Sequence, residues 1–423
     1  MSAAAIGLAR PRDDAPRGRA GTAGPERAPP VELMPRAAAE LLDPPPRRIA
    51  VLRALALGDL LCALPALRSL RAAAPRATIT LVGLPWAREF VARQRDVLDE
   101  FIEFPGHPAF PERVVDEAAR AGFDARMRAL GFDLAVQMQG SGEVANDIVA
   151  AWGARHTAGF HPPEAPAPGP GFRPWPVTGH EIDRLLALPR FLGAPDAGRG
   201  LAFPLDARDR AEAAALELPG FAAERLPDEG RAAPAGEGAG RAVAAPRGLV
   251  CVHPGARLPS RRWPAERFAQ VAAALARDGW TVAVTGSAGE AEVARAVLAQ
   301  ARARLAASDC SPGAGHRLID LVGRTSLGAL GAVLDRATLL VSNDTGVAHI
   351  AAALRLPSVI VASGSEVARW APLDARLHRV LWADADCRPC AHEICPVGHG
   401  CALAVTAEAV IDAARAACVW RHP

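Results

Sequence analysis

Val341-Ser342-Asn343-Asp344-Thr345-Gly346-Val347-Ala348-His349-Ile350 reads as a buried strand, a polar turn and the start of a helix. Apolar residues from Leu339 to Val341 carry the strand, and small apolar residues from Val347 to Leu354 carry the helix. Such a junction aims the free N–H groups of the helix at whatever lies above the sheet, and these amides together with the helix dipole favour an anion. Asp344 and Thr345 add acceptors suited to ribose or phosphate, and Gly346 admits close approach to the backbone. A plain structural turn has the same pattern, so this stretch alone leaves both readings open.

Working outward, the same alternation recurs on both sides. Upstream come strand Gly248–Gly255, helix Ala265–Asp278, strand Thr281–Val284 and helix Ala288–Arg304. Strand Leu318–Leu321 and helix Leu327–Asp335 follow, and strand Ser358–Val361 lies downstream. An earlier series holds strands Arg48–Arg53, Thr78–Val82, Phe101–Phe104 and Phe132–Gln137, with a helix over Leu60–Ala74. Strands alternating with helices predict parallel sheets covered on both faces, with ligands at the carboxyl ends of the strands. At 423 residues the chain exceeds one core, so two domains are expected.

The boundaries follow composition. Residues 1–46 are rich in Ala, Pro, Arg and Gly and end in Pro44-Pro45-Pro46, which predicts a disordered leader. The first domain is expected over 47–205, a linker low in apolar bulk over 206–248, and the second domain over 249–405. A C-terminal helix and tail fill 406–423, and Pro162–Pro176 reads as irregular. No charge-free run of about 18 apolar residues appears, so neither a membrane span nor a signal-peptide core is expected. A net charge of +2 argues against a nucleic-acid partner. All 48 basic residues counted as Lys or Arg are Arg, so a site that would ordinarily use Lys must use Arg.

Four of the eight cysteines crowd together as Cys387, Cys390, Cys395 and Cys401. Their number suits a tetrahedral zinc site, with His392 or His399 as substitutes, but the spacing lacks the paired CxxC form. Reduced packing thiols or a labile disulfide are the alternatives.

Several motifs, taken in order, resemble glycosyltransferase family 9, the bacterial lipopolysaccharide heptosyltransferase family. They are Leu57-Gly58-Asp59 with Leu64-Pro65-Ala66-Leu67, then His253-Pro254-Gly255-Ala256 with Arg261-Arg262-Trp263-Pro264. Leu321-Val322-Gly323-Arg324-Thr325-Ser326-Leu327 and Asn343-Asp344-Thr345-Gly346 with His349 complete the set. The resemblance runs from about Arg48 to Arg415. It implies a GT-B fold, two Rossmann-like domains with parallel sheets facing across a cleft, acceptor on the first and nucleotide-sugar donor on the second. It also implies inverting transfer of heptose from ADP-L-glycero-D-manno-heptose to the lipopolysaccharide inner core, with no cofactor required for catalysis. Another nucleotide sugar or glycan acceptor, or a nucleotide-sugar epimerase of the same fold, remains an alternative.

The resemblance gives Asp59 the role of base toward the acceptor hydroxyl. A helix N-cap is the competing reading, because Asp is a favoured cap. Gly58 and Arg53 fall on the acceptor side, where Arg53 either meets an acceptor anion or is a solvated strand terminus. Ala54, Leu55 and Ala56 stand where family members often have Ser, so acceptor hydroxyl contacts are absent here. Donor contacts are implied for Gly255, Ala256, Arg261, Glu290, Thr325, Asp344, Thr345, Gly346 and His349. Arg261 replaces a common Lys, and Thr325 is either a pocket residue or a helix cap. Glu290, with Glu292 as its rival, either accepts from ribose hydroxyls or is an exposed acid at a helix start. A glycolipid acceptor implies a cytoplasmic protein with peripheral contact at the inner membrane, through Arg68, Arg71, Arg76, Arg88, Arg93 and Arg95. The alternative for those arginines is a solvated face neutralised by Asp96, Asp99 and Glu100.

Overall fold

The computed structural model describes residues 6–8, 36–219, 247–307 and 314–419. They contain thirteen strands, beginning with β1 (Ile6–Leu8), β2 (Arg48–Leu52), β3 (Thr78–Gly83) and β4 (Glu100–Glu103). β5 (Leu134–Gln137), β6 (His156–His161), β7 (Phe172–Pro174), β8 (Leu249–His253) and β9 (Thr281–Val284) follow. β10 (Leu318–Asp320), β11 (Leu339–Asn343), β12 (Ser358–Val361) and β13 (His378–Ala383) complete them. The chain divides into two compact units near Leu205.

The first unit is a six-stranded parallel sheet in the order β4-β3-β2-β5-β6-β7. Parallel neighbours need crossover helices, and Leu57–Ala73 between β2 and β3 is the longest of them. Its Leu60, Leu61, Leu64 and Leu67 are fully buried. Helix Glu181–Phe191 packs against it. Phe104, Phe123, Phe132 and Trp152 fill the core on the other face of the sheet. The strand order reverses between β2 and β5, the kind of switch point at which open sheets bind ligands.

The second unit is a seven-stranded sheet in the order β1-β13-β12-β11-β8-β9-β10, parallel except for β1. Its switch point lies between β11 and β8. β8, β11 and β12 are buried on both faces, which is why they read as continuous apolar runs. Helix Ala407–Val419 packs against helix Ala265–Arg277 and against β11 and β12, so the expected tail helix belongs to this unit's core.

Three expectations change. The leader over 1–46 does not hold for its last part, because Arg36–Ala39 is helical and Ala38, Leu41 and Leu42 are buried. Those apolar side chains supply burial that offsets the entropy of ordering. Ile6–Leu8 pairs antiparallel with β13, while 1–5 and 9–35 lie outside the described residues. The linker over 206–248 begins with a helix, Ala207–Ala214, started by a capping box between Asp206 and Asp209. That helix packs against Leu327–Arg336, with Ser326 Oγ donating to Glu212 at 2.6 Å; 220–246 lie outside the described residues. The Pro-rich stretch 162–176 holds β7, an edge strand where proline is tolerated.

His378 and Ser358 join β13 to β12 through Ser358 Oγ and His378 Nδ1 at 2.8 Å. Burial pushes the His378 pKa down to about 4. The unfolded chain therefore takes up a proton near the ordinary value of about 6.5, while the folded chain resists until about 4. Between those values the unfolded state binds more protons, so stability falls as pH falls. Urea midpoints at pH 7 and pH 5 are expected to differ less in His378→Gln than in the wild type.

Candidate functional site

Five loops gather at the carboxyl ends of the second sheet, following β8, β9, β10, β11 and β12. The link between the first and fourth is Asn343, fully buried at the end of β11. Its Oδ1 accepts from Trp263 N at 2.8 Å, and its Nδ2 donates to Pro254 O at 2.8 Å and Gly255 O at 3.2 Å. This one amide sets the path of the 254–263 loop across the switch point. Trp263 is core, as its type suggests, packed edge-on to Phe268 with Nε1 donating to Val405 O at 3.0 Å. Arg262 donates from Nε to Ala256 O at 2.9 Å, closing the loop on itself.

Arg261 ends a short 3₁₀ turn, Pro259–Arg261. One arm of its guanidinium donates to Cys390 O, while Nε is buried without a protein partner. Burial lowers its pKa, and Asp344 is the first group opposing that shift, so the carboxylate and guanidinium feel one another. A guanidinium stays charged regardless. Asp344 continues the β11–β12 pairing through its N–H to Val361 O at 3.0 Å. Helix Gly346–Ala353 then begins at Thr345, whose side chain makes no capping hydrogen bond. His349 is buried, with its ring 6.3 Å from that of Trp370.

Glu290 ends the 3₁₀ turn Ala288–Glu290 in the loop after β9. Its Oε2 accepts from Ser287 N at 2.7 Å and Ser287 Oγ at 2.8 Å in a capping box. Its Oε1 lies over Gly255, where a Cβ would fall 2.0 Å from that oxygen. Only glycine leaves the carboxylate that position. Thr325 is half-buried and is not the cap of the next helix; Ser326 caps it, accepting from Ala329 N at 3.0 Å.

In the first unit Asp59 stands in the first turn of helix Leu57–Ala73, whose N-cap is Ala56. The N-cap alternative for Asp59 is thereby replaced by a half-buried first-turn carboxylate. Gly58 beside it is buried. Arg53 corrects both expectations made of it. It is 1% exposed, with Nε and Nη2 donating to Asp59 O at 2.9 and 2.7 Å and Nη1 donating to Met138 O. Nη2 also lies 3.6 Å from Glu181 Oε1. Such a guanidinium is neither solvated nor open to an acceptor anion; it holds the Asp59 backbone.

Residues without a role in the sequence reading surround these. Gln137 Nε2 donates to Asn146 Oδ1 at 3.1 Å and Phe160 O at 3.2 Å beneath the loop after β5. Gly142 there has φ +100°, and a Cβ would lie 2.1 Å from Phe160 O. Arg388 donates to Ala362 O and Ala383 O, both at 2.9 Å, and to Ser365 O, tying the loop after β12 to the cysteine segment. A lone Arg between Cys387 and Pro389 carries no sequence signal of that kind.

Burial raises the pKa of Cys401, and Cys387 and Cys395 lie near enough for their charges to add to that shift. Cys387 is exposed, Cys395 Sγ accepts from His399 N at 3.2 Å, and Cys390 packs against Gly364. Among the described residues no three His, Cys, Asp or Glu side chains are arranged to hold a metal, so the zinc expectation does not fit this placement. The segment instead braces the 254–263 loop. Ser260 N donates to Glu393 O at 2.9 Å, and His399 Nε2 meets Ser260 O at 2.9 Å.

The arginines of the first unit are largely engaged. Arg68 donates to Gly200 O at 2.7 Å, Arg71 pairs with Asp99, and Arg93 pairs with Glu89 at 2.8 Å. Arg95 donates to Asp99 O at 2.8 Å, and Arg88 lies 4.9 Å from the Phe101 ring centroid. No helix among the described residues is long and apolar enough to cross a membrane.

Residues 192–400 match the model of Glycosyltransferase family 9 (heptosyltransferase). Lipooligosaccharide heptosyltransferase 2 of Haemophilus ducreyi is 32% identical over 117 residues, which are 27% of this chain and 31% of that protein. The matched stretch thus spans about a third of this curated relative. A glycosyl transferase family 9 structure from Veillonella parvula superposes with a TM-score of 0.64 at 22% identity, covering 88% of this chain and 97% of the other. The E. coli ADP-heptose lps heptosyltransferase II gives 0.61 at 19% identity, covering 89% and 100%. Over residues 192–400 this chain thus resembles glycosyltransferase family 9, and its two sheets have the GT-B fold of those solved structures.

Proposed function

We propose that the protein is an inverting glycosyltransferase that takes a nucleotide-sugar donor, ADP-L-glycero-D-manno-heptose, on its second unit. The acceptor is the lipopolysaccharide inner core, with Asp59 as base. The observation that carries the reading is the pairing of Arg261, its Nε buried and unpartnered, with the uncapped helix start at Thr345-Gly346. Both stand at the switch point of one sheet, and together they supply a guanidinium and helix amides for a diphosphate. The similarity to a protein described as an ADP-heptose lps heptosyltransferase supports the choice of donor and acceptor.

In the proposed reaction the acceptor hydroxyl attacks the anomeric carbon while Asp59 takes its proton. The bond to the nucleoside diphosphate breaks as the new glycosidic bond forms, which inverts the anomeric centre. Charge grows on the leaving diphosphate, and Arg261 with the amides of Gly346 and Val347 stabilises it. Glu290 accepts from ribose, and Asp344 holds Arg261 by its charge.

Thermal shifts with ADP-, GDP- and UDP-sugars test the reading, since a ligand that binds only the folded state raises its melting temperature. An ADP-sugar is expected to give the largest rise, and Arg261→Met to abolish it. No rise with any of them would overturn the donor assignment.

A further inference from the structure

His253 has no part in the chemistry described so far. It is the last residue of β8, 7% exposed, and sits between two side chains from the neighbouring loop. Its Nδ1 lies 3.1 Å from Thr285 Oγ1, and its Nε2 lies 3.8 Å from Glu290 Oε1. Thr285 is fully buried at the end of β9 and has one hydroxyl proton to give. Its alternative acceptor, Val252 O, is 3.5 Å away, so the shorter contact to Nδ1 takes the proton. An Nδ1 that accepts leaves the hydrogen of a neutral imidazole on Nε2, facing Glu290. Burial lowers the His253 pKa and keeps the ring neutral, with the Glu290 charge opposing.

Glu290 is thus held from two directions. Ser287 occupies Oε2, while Oε1 stands over Gly255 with the His253 N–H behind it. At 3.8 Å that N–H orients the carboxylate by its dipole without consuming an acceptor site. Oε1 keeps its capacity for a ligand hydroxyl.

We infer that Thr285 and His253 are positioning residues that aim Glu290 at a ribose hydroxyl, making this unit select ribonucleotides over their deoxy forms. The inference rests on the nucleotide-sugar reading of the same loops. A site built to receive a hydroxyl rejects the analogue lacking it, because its buried acceptor is then left unpaired.

Titration calorimetry on the full chain tests it. ADP, GDP and UDP are measured first, and the tightest is compared with its 2′-deoxy and 3′-deoxy forms and with pyrophosphate. The wild type is expected to bind one deoxy form at least about tenfold more weakly. In Thr285→Val, a near-isosteric change, and in His253→Ala, that ratio is expected to fall below about threefold, with pyrophosphate affinity within about twofold of wild type. His253→Gln, which restores an N–H donor, is expected to recover part of the ratio. Variants that keep the wild-type ratio overturn the inference. So do variants that weaken pyrophosphate and every nucleotide in parallel, since that marks a structural role. A wild type that binds none of the three nucleotides fails the donor reading instead, a separate result.

Discussion

Asp59→Asn is expected to lower turnover by about 10²–10⁴ while leaving nucleotide affinity unchanged, the usual contribution of a positioned general base. The separation follows from where the residue sits. Asp59 lies in the first turn of helix Leu57–Ala73 in the first unit, whereas the loops proposed to bind the nucleotide belong to the second. Its structural contribution as a first-turn acid is only about 0.3–1 kcal/mol, so the variant should fold and melt close to wild type. Steady-state transfer measured beside calorimetric binding reads both quantities. A rate within about threefold of wild type would reduce Asp59 to a helix-terminal charge.

Glu181→Leu is expected to cost about 3–5 kcal/mol of stability, the largest loss at any single ion pair described above. Glu181 is 2% exposed and stands between two buried arginines, 3.6 Å from Arg53 and 3.9 Å from Arg184. Without it, both guanidinium groups keep their charge in a place water does not reach, and neither neutralises at any working pH. Arg53 also holds the Asp59 carbonyl, so turnover should fall together with stability. The control is Asp196→Ala, which breaks an exposed pair with Arg190 and should cost at most about 1 kcal/mol. Urea denaturation of both variants decides the matter; equal losses would mean that solvent screens the Arg53–Glu181 pair.

Much of the architecture is legible from periodicity. Strands Thr281–Val284 and Ser358–Val361 lie where the apolar runs place them, because strands buried on both faces must be continuously apolar. β6 and β7 were not legible: His156–His161 mixes polar and apolar residues, and Phe172–Pro174 is a short edge in a Pro-rich stretch. The order of residues 36–46 was hidden as well, since Leu41 and Leu42 look like any apolar pair until a surface exists to cover them.

At the site, the motifs locate the loops but not the state of each side chain. Arg261, Asp344, Thr345 and Gly346 come from two motifs that β8 and β11, neighbours in the sheet, bring side by side. Arg53 looks like a solvated strand end because its partners, Met138 and Glu181, lie far along the chain. The cysteine segment looks like a metal site by count, yet its backbone carbonyls brace Ser260 and Arg261.

Sequence by itself determined the alternation of strands and helices, the two units and the loops that carry polar residues. These follow from local hydrophobic period and turn chemistry, which act over a few residues. Only the tertiary structure decided which charges are buried, which hydroxyl faces which imidazole and which loop arginine keeps a buried nitrogen without a protein partner. Desolvation and hydrogen bonding depend on neighbours brought together from distant parts of the chain, and no local pattern encodes them.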